Sequence, residues 1–353
     1  MEYLTNFYEI FSSNFFDPKK RVFAGYLFSG FLIAIIWSVY TKKLSILNAI
    51  KFVFDKKVYI SKSAITDYSL YIINLFIMII FSPILLSQLT IATLIFELLH
   101  TQEALTPIDN VLIVSLIIPI SFTFSYFVLD DFSKFLVHFF MHRIPFLWSF
   151  HKVHHSAEVL TPITVFRTHP FEGIVFVIRN AISQGAIIGI FYFVTNGNLS
   201  LVTVLGANLF SFTFHLLGSN LRHSHVSITY WKWLEYFLIS PAQHQIHHSI
   251  DKNHHDKNFG VTFAFWDLFF GSLVFSKSNQ DLTFGLLKNE KLTKYNVISI
   301  YFYPIKESFI IFKKSTQQLF EKLIYFLQFI FLKIKKNILN EIYKVFFSNF
   351  LCY

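Results

Sequence analysis

The sequence contains few cysteines and few charged residues, and both shortages limit what the protein can be. Cys352 is the single cysteine of the 353-residue chain, which excludes an intrachain disulfide and a cysteine-rich zinc or iron–sulfur site. Charged residues make up only 14% of the chain, against about a quarter in a typical soluble domain. Because 54% of the residues are hydrophobic, the composition indicates a membrane protein.

Motifs that mark several other protein classes are also missing. The sequence has no His-Glu-x-x-His zinc-protease motif and no glycine-rich fingerprint for a nicotinamide or flavin cofactor. No apolar core follows a short basic leader in residues 1–20, so we expect no signal peptide there. The net charge of +9 favours an anionic membrane surface over nucleic acid, because the basic residues lie in short loops and in the C-terminal tail.

Five apolar segments are long enough to cross a membrane, since a helix needs about 20 residues to cross the hydrocarbon. One of them contains Pro83 and is either a single tilted span or a span followed by a re-entrant piece. Successive apolar spans predict an all-α, polytopic membrane helical bundle. The predicted spans are 22–40, 70–96, 111–129, 174–194 and 199–217.

The charges of the loops predict the orientation of the bundle. The lysine-rich segment 41–67 is expected in the cytoplasm, and the loop 97–109, which lacks Lys and Arg, is expected outside. Alternation then places 131–173 and 218–353 in the cytoplasm. The basic residues 19–21 disagree with this scheme, so the first segment could instead lie on the surface or re-enter.

The chain divides into three predicted regions: residues 1–130 with the first spans, a catalytic region at 131–275, and a basic tail at 276–353. Residues 305–353 carry eight lysines against three glutamates between apolar stretches. This pattern predicts one or two amphipathic helices, packed either on the protein or on the membrane surface.

Fourteen of the fifteen histidines lie between His138 and His255. The first box has two histidines at i and i+4, and two later boxes share the pattern His-x-x-His-His, so each box gathers its rings on one helical face. Neutral imidazole binds Fe, Zn and Cu well, and without a metal many buried ring nitrogens would need partners. The boxes therefore predict a metal site built from His138, His142, His151, His154, His155, His244, His247 and His248.

Eight histidines are too many for one ion, which takes about four to six ligands, so two ions are the simpler interpretation. His223 is the preferred additional ligand, and His225 and His215 are further candidates. Asp131 lies on the face of His138, seven residues earlier, and is either an acceptor for a ligand N–H or a helix cap after the third span.

Three other histidines are less favoured as metal ligands. His169 either lines it or closes a turn before the fourth span, and His254 and His255 are predicted to be solvated or to gate it. An all-imidazole site carries little ligand charge and suits a redox metal that cuts a strong C–H bond. Electrons would then come from a separate protein, because the chain has no visible cofactor site for them.

At these residues the sequence resembles the fatty acid hydroxylase superfamily, which includes sterol desaturases and related membrane hydroxylases. The resemblance covers about residues 131–275 and implies a helical membrane fold with a cytoplasm-facing di-iron site held by the eight box histidines and a ninth, most like His223. Some members use a clear i, i+4 pair in that intermediate segment, where this chain offers His223 and His225. The resemblance is carried by the boxes with their flanking residues and by Arg167-Thr-His-Pro, Asn220-Leu-Arg-His-Ser-His, Asn258-Phe-Gly and Trp266-Asp.

The favoured function is a membrane-bound, O2-dependent oxidoreductase with two iron ions that hydroxylates or desaturates a lipid such as a sterol or a fatty acyl chain. The expected electron donor is a cytochrome b5-like protein, a ferredoxin or a reductase. An ether-lipid-cleaving monooxygenase is an alternative on the same metals. A membrane haem electron carrier and a metal transporter are alternatives of another class. A transporter needs ionisable residues in mid-membrane, where only Arg179 and His215 come close.

Overall fold

The computed structural model describes residues 2–81, 87–277, 280–287, 290, 292–318, 321–322 and 325. These residues are mainly helical, with one small antiparallel hairpin, Thr203–Val204 with Ala207–Asn208, which confirms the all-α prediction. The numbered helices are α1 (Glu2–Phe16), α2 (Ala24–Lys42), α3 (Ile46–Val53), α4 (Lys56–Tyr59), α5 (Lys62–Phe81), α6 (Gln88–His100), α7 (Ile118–Arg143), α8 (Pro145–His155), α9 (Pro170–Val194), α10 (Leu209–Leu216), α11 (Pro241–His247) and α12 (Phe265–Phe269).

Four of the described helices are long and apolar enough to cross a membrane, which confirms the prediction of a polytopic bundle. The predicted span 70–96 is not a single helix, because α5 ends at Phe81 and the shorter α6 begins at Gln88. The Ser87 side chain caps α6 by accepting a hydrogen bond from the backbone N–H of Thr90. The four candidate spans are Ala24–Lys42, Lys62–Phe81, Ile113–Arg143 and Pro170–Val194.

The fifth predicted span, 199–217, is wrong as a continuous helix. The segment forms the hairpin, which turns at Gly206 with a φ of 79°, and then α10, which has only eight residues. Asn208 ends the hairpin and caps α10 with its side-chain oxygen. Its Nδ2 also donates to the Thr123 carbonyl at 3.0 Å, which ties the hairpin to α7. Hydropathy missed this because a few turn and cap residues are averaged with many apolar ones.

Helix α7 carries the chain from the bundle to the first histidine box. A π-helical turn, Ile113–Ile117, precedes it, so that Ile113–Arg143 forms one helix of 31 residues. At 1.5 Å per residue this helix is about 46 Å long, against about 30 Å for the hydrocarbon of a bilayer. The predicted span 111–129 therefore continues as a helix, and its additional turns position His138 and His142.

Two glycines allow α6 and α9 to pack closely. A Cβ atom at Gly185 would lie 2.7 Å from the carbonyl oxygen of Gln88, and one at Gly189 would lie 2.6 Å from that of Ala92. Small residues at this i, i+4 spacing let helix backbones approach in a membrane. Gln88 reinforces the contact by donating a 2.6 Å hydrogen bond to Gln184.

A buried arginine holds the helices around the second histidine box. The fully buried Arg167 pairs with the equally buried Asp67 of α5 at 2.7 Å. Its guanidinium also donates to the Ser156 hydroxyl at 2.9 Å and to the Lys294 carbonyl at 2.6 Å. A paired and hydrogen-bonded charge of this kind is costly to break, so α8 has a fixed position relative to α5.

The chain forms two compact units, Met1–Pro304 and Ile305–Tyr353. Residues 297–318 are helical, but most of the basic tail at 305–353, for which amphipathic helices were predicted, lies outside the described residues. The three-region division at 130/131 and 275/276 stays a prediction.

We expect Gly189→Ala to destabilise the protein, whereas Gly173→Ala should not. The new methyl group at residue 189 would meet the Ala92 backbone, and overpacking of this kind costs about 1–3 kcal/mol. At Gly173, also on α9, the nearest atom is the Met78 sulfur at an ordinary 3.6 Å. The measurement is the midpoint of thermal unfolding in detergent, and equal midpoints for the two variants would contradict the close packing.

Candidate metal centre

The predicted histidines are brought together by three helices and one turn. His138 and His142 lie on α7, and the second box occupies the last turns of α8. The third box lies on α11, whose N-terminus is closed by a capping box between Ser240 and Gln243. His223 follows a short 3₁₀ helix, Ser219–Arg222.

The nine histidine rings form two groups, and within each group the potential ligand atoms lie within 4.8 Å of one another. Eight of the nine residues are buried, and the His142 side chain is only 7% exposed. Group one contains His138, His142, His151, His155 and His247, and group two contains His154, His223, His244 and His248.

Group two converges on the Nε2 atom of His223. This atom lies 3.2 Å from Nε2 of His154, 3.2 Å from Nε2 of His248 and 3.1 Å from Nε2 of His244. Each neutral imidazole has one N–H and one lone pair, so four facing nitrogens cannot satisfy one another fully. A cation between them would accept all four lone pairs, and the arrangement therefore fits a metal ion.

In group one, hydrogen bonds on the outer side of the rings determine which nitrogen faces inward. The Nδ1 atom of His151 contacts the Glu172 carboxylate at 3.0 Å, and those of His138 and His247 contact the carbonyls of Phe259 and Lys257, both at 2.8 Å. These acceptors require Nδ1–H, so the lone pair is on Nε2. Among the described residues, the buried Nε2 atoms of His142, His151, His155 and His247 have no hydrogen-bond partner.

Burial keeps six of the site rings outside the candidate spans neutral. It lowers their pKa because a charged ring is poorly solvated there, and repulsion from neighbouring imidazoles lowers the pKa further. For His247, burial lowers the pKa to about 3. At neutral pH these rings are therefore uncharged and have a lone pair for a metal. The pKa lies well below its usual value for His154, His155, His223, His244 and His248.

His225 lies outside both groups, although the sequence offered it as a further ligand. Its Nε2 contacts the Phe52 carbonyl at 2.9 Å, and its ring packs edge-on against Phe52. Its side chain therefore contacts α3 and not the point where the group two rings meet.

His215 and His169 also lie outside the groups. His215 contacts the Ser219 hydroxyl at 2.6 Å. His169 caps α9 with Nδ1 and contacts the Tyr301 carbonyl with Nε2 at 3.0 Å, so it closes the turn before the fourth span.

Asp131 has partners other than those the sequence suggested. It lies in the interior of α7, so it caps no helix. Its carboxylate accepts hydrogen bonds from the backbone N–H groups of Thr262 and Phe263 and from Nε1 of Trp266. Asp131 therefore holds the loop that presents the Phe259 carbonyl to His138, and it acts on the site only through that loop.

Glu172, which the sequence analysis did not single out, has a carboxylate that contacts a site histidine directly. It lies in the first turn of α9 and is buried together with His151. The one feature of the sequence that could have indicated Glu172 is its position two residues after the Arg167-Thr-His-Pro segment. No sequence feature could have indicated the Lys257 and Phe259 carbonyls, because every residue has a backbone carbonyl.

The two groups differ in their surroundings. A cavity of about 260 Å³ borders group one, whereas the Arg21 guanidinium lies 3.4 Å from Nδ1 of His223 in group two. Group one is therefore the side from which a small molecule can approach. The cavity is lined by His142, Trp148, His155, His247, Ser249, Ile250, His255, Asp256, Gly285, Leu286, Leu287 and Glu290.

The apolar helices and the converging histidines together define a polytopic helical membrane protein with a site suited to metal. Residues 123–272 match the fatty acid hydroxylase family model, which confirms the resemblance inferred from the sequence.

Curated relatives of the chain are alkylglycerol monooxygenases. The Caenorhabditis elegans protein is 25% identical over 53% of this chain and 33% of its own length. The human protein is 27% identical over 46% of this chain and 32% of its own length. The Danio rerio protein is 26% identical over 44% of this chain and 31% of its own length. The matched region thus spans about a third of each relative. No solved structure matches the chain significantly.

We expect His223→Ala to lower the metal retained by the purified protein and His225→Ala to leave it unchanged. The two residues are both largely buried and lie two positions apart, but only His223 faces three other imidazoles. Removing His223 should release the ion of group two. This is roughly half of the bound metal if each group holds one ion. Elemental analysis makes the comparison, and an equal loss in both variants would contradict this ligand set.

Proposed function

We propose that the chain is a membrane-bound, O2-dependent lipid monooxygenase that holds two iron ions, one in each histidine group. The observation that carries this proposal is the convergence of nine largely buried imidazole rings in two compact groups. The fatty acid hydroxylase match and the monooxygenase relatives support the same class of enzyme. Five and four histidines are each a suitable set for one ion.

Iron is favoured because the ligands are all neutral and the proposed reaction needs a redox metal. Bound iron would supply the oxidising power that lets O2 attack an unactivated C–H bond. A zinc ion could occupy the same nitrogens, but zinc has no redox chemistry. The proposed ligands are the nine histidines of groups one and two.

The protein's own part is to hold these rings in one orientation and to keep water away. Glu172 and the carbonyls of Lys257 and Phe259 each accept an N–H from a group one ring. Such outer partners orient a ligand ring and raise its basicity, and losing one typically lowers metal affinity about 10- to 100-fold. The burial of group two excludes competing solvent, whereas group one is reached through the cavity beside it.

Hydroxylation needs two electrons that this chain does not carry in a visible cofactor site. One oxygen atom of O2 enters the C–H bond, and the other leaves as water with two electrons and two protons. We assign these electrons to a separate donor, such as a cytochrome b5-like protein, a ferredoxin or a reductase. The cavity beside group one gives small reactants access from the protein surface.

The relatives favour an ether lipid as one candidate substrate, because their printed name describes monooxygenases of alkylglycerols. Hydroxylation of the carbon beside an ether oxygen gives a hemiacetal, which separates into an aldehyde and an alcohol and so cleaves the ether. Hydroxylation or desaturation of a sterol or fatty acyl chain on the same metals is the other candidate.

We expect the purified protein to contain about two irons per chain, and His247→Ala to lose both iron and activity. His254→Ala is the matched control, since His254 lies in the same region but outside both groups. The assay compares lipids of cells with and without the gene by mass spectrometry. It looks for loss of an ether lipid, gain of one oxygen, or loss of two hydrogens. Unchanged lipids, or a haem absorption band, would contradict the proposal.

The loop charges favour a cytoplasmic location for the histidine boxes, and single cysteines can test it. We expect a membrane-impermeant maleimide to label Thr106→Cys on intact cells but not Asn253→Cys, both in a Cys352→Ser background. Both positions are exposed, whereas Ser249 beside the third box is buried and unsuitable. Labelling of both positions, or of Asn253→Cys alone, would contradict this orientation.

A further inference from the structure

An exposed aromatic surface lies on two neighbouring segments, residues 230–238 and 262–270, which we call the aromatic wedge. Trp231 is 73% exposed and Phe269 is 75% exposed. Single exposed apolar side chains are ordinary, but a contiguous patch marks an interaction surface. The other exposed apolar residues of the wedge are Trp233, Tyr236, Phe237, Leu268 and Phe270.

Backbone hydrogen bonds join the two segments of the wedge. The N–H of Ala264 donates to the Phe237 carbonyl at 2.8 Å, and that of Ile239 donates to the Thr262 carbonyl at 2.9 Å. The buried Glu235 anchors the first segment, since its carboxylate accepts a 2.7 Å hydrogen bond from the Ser240 hydroxyl. The wedge is thus firmly attached to the protein while its aromatic side faces outward.

The wedge continues the exposed apolar stripe of α7. Ile120 and Phe124 are 60% and 50% exposed, as expected for side chains that face lipid in a spanning helix. Asp131 and Phe135, seven and eleven residues after Phe124, lie on the same helical face. They are buried there, and the second segment of the wedge covers them.

Ring contacts place the wedge at membrane depth along α7. Phe263 packs on Phe127 with ring centroids 5.6 Å apart, and Trp266 packs on Phe132 at 4.6 Å. Counted from the start of the span at Ile113, Phe127 lies about 21 Å along the helix. The hydrocarbon of a bilayer is about 30 Å thick, so this part of the wedge lies within its reach.

Backbone N–H groups of the wedge have hydrogen-bond partners within the protein, as a segment inside a bilayer requires. Non-helical backbone at membrane depth needs partners within the protein for its N–H groups. Asp131 accepts from the N–H groups of Thr262 and Phe263 at 2.8 and 3.1 Å and from Nε1 of Trp266 at 3.0 Å. This gives the buried carboxylate a physical role that neither sequence interpretation provided.

We propose that the aromatic wedge inserts into one leaflet of the lipid bilayer at the histidine end of the bundle. Phe269 and Phe237 enter the acyl region. The exposed Trp231 and Trp233 lie at the headgroup level, where indole rings are favoured. The occupant is the bilayer itself, because the wedge continues the lipid-facing side of α7. The proposal does not depend on the metal or on the reaction.

The test uses a nitroxide label on Phe269→Cys in the full chain with Cys352→Ser, reconstituted in phosphatidylcholine vesicles. Collision rates with O2, which partitions into lipid, are compared with those of a water-soluble nickel complex. The references are Leu116→Cys, a 62% exposed position on the Ile113–Arg143 span, and Asn253→Cys on an exposed loop. We expect the O2-to-nickel ratio at residue 269 to exceed that at residue 253 several-fold and to approach that at residue 116.

Two results would overturn the proposal. A ratio equal to that at residue 253 would place the wedge in water, and low accessibility to both reagents would mean that protein, such as a second copy of the chain, covers it. Trp233→Cys provides a second label if Phe269→Cys does not fold. It should give a ratio between the two references, and a ratio equal to that at residue 253 would overturn the proposal in the same way.

Discussion

The convergence of nine imidazole rings in two compact groups is the constraint on which the rest of the structure depends. Nitrogens 3.1–3.2 Å apart in group two cannot all be satisfied by hydrogen bonds to one another. Buried polar atoms without partners cost free energy, so cations between the rings would stabilise the folded arrangement. Metal bound there would couple to the stability of this region.

The scaffold supplies rigidity where the rings themselves supply none. Helix α7 extends beyond the apolar run to carry the first box, and the buried Arg167–Asp67 pair fixes α8, which carries the second. Hydrogen-bond acceptors outside the rings then determine which nitrogen faces inward, as Glu172 does for His151. The scaffold thus fixes both the positions of the helices and the tautomers of the rings.

The features that the sequence predicted correctly are local or periodic. Box spacing placed rings on one face of a helix, and hydropathy located four spans. It failed at 199–217, where a hairpin and Asn208 end one apolar run and start a short helix. Helical spacing suggested partners for Asp131 that it does not have, and no pattern singled out Glu172, because the partner of a buried carboxylate depends on packing between segments far apart in the chain. His225 shows the same limit, since its residue type alone could not say which way its ring points.

One loop connects the membrane-facing surface with the metal groups. Asp131 holds its residues 262 and 263, Asp267 accepts the N–H groups of Phe259 and Gly260 at 2.8 and 2.7 Å, and the Phe259 carbonyl contacts His138. A Cβ atom at Gly260 would lie 2.6 Å from the Phe263 carbonyl, so the loop is closed too tightly for any side chain there. Two carboxylates thus fix this loop at both ends. The aromatic wedge and the outer partner of His138 are held by the same few hydrogen bonds.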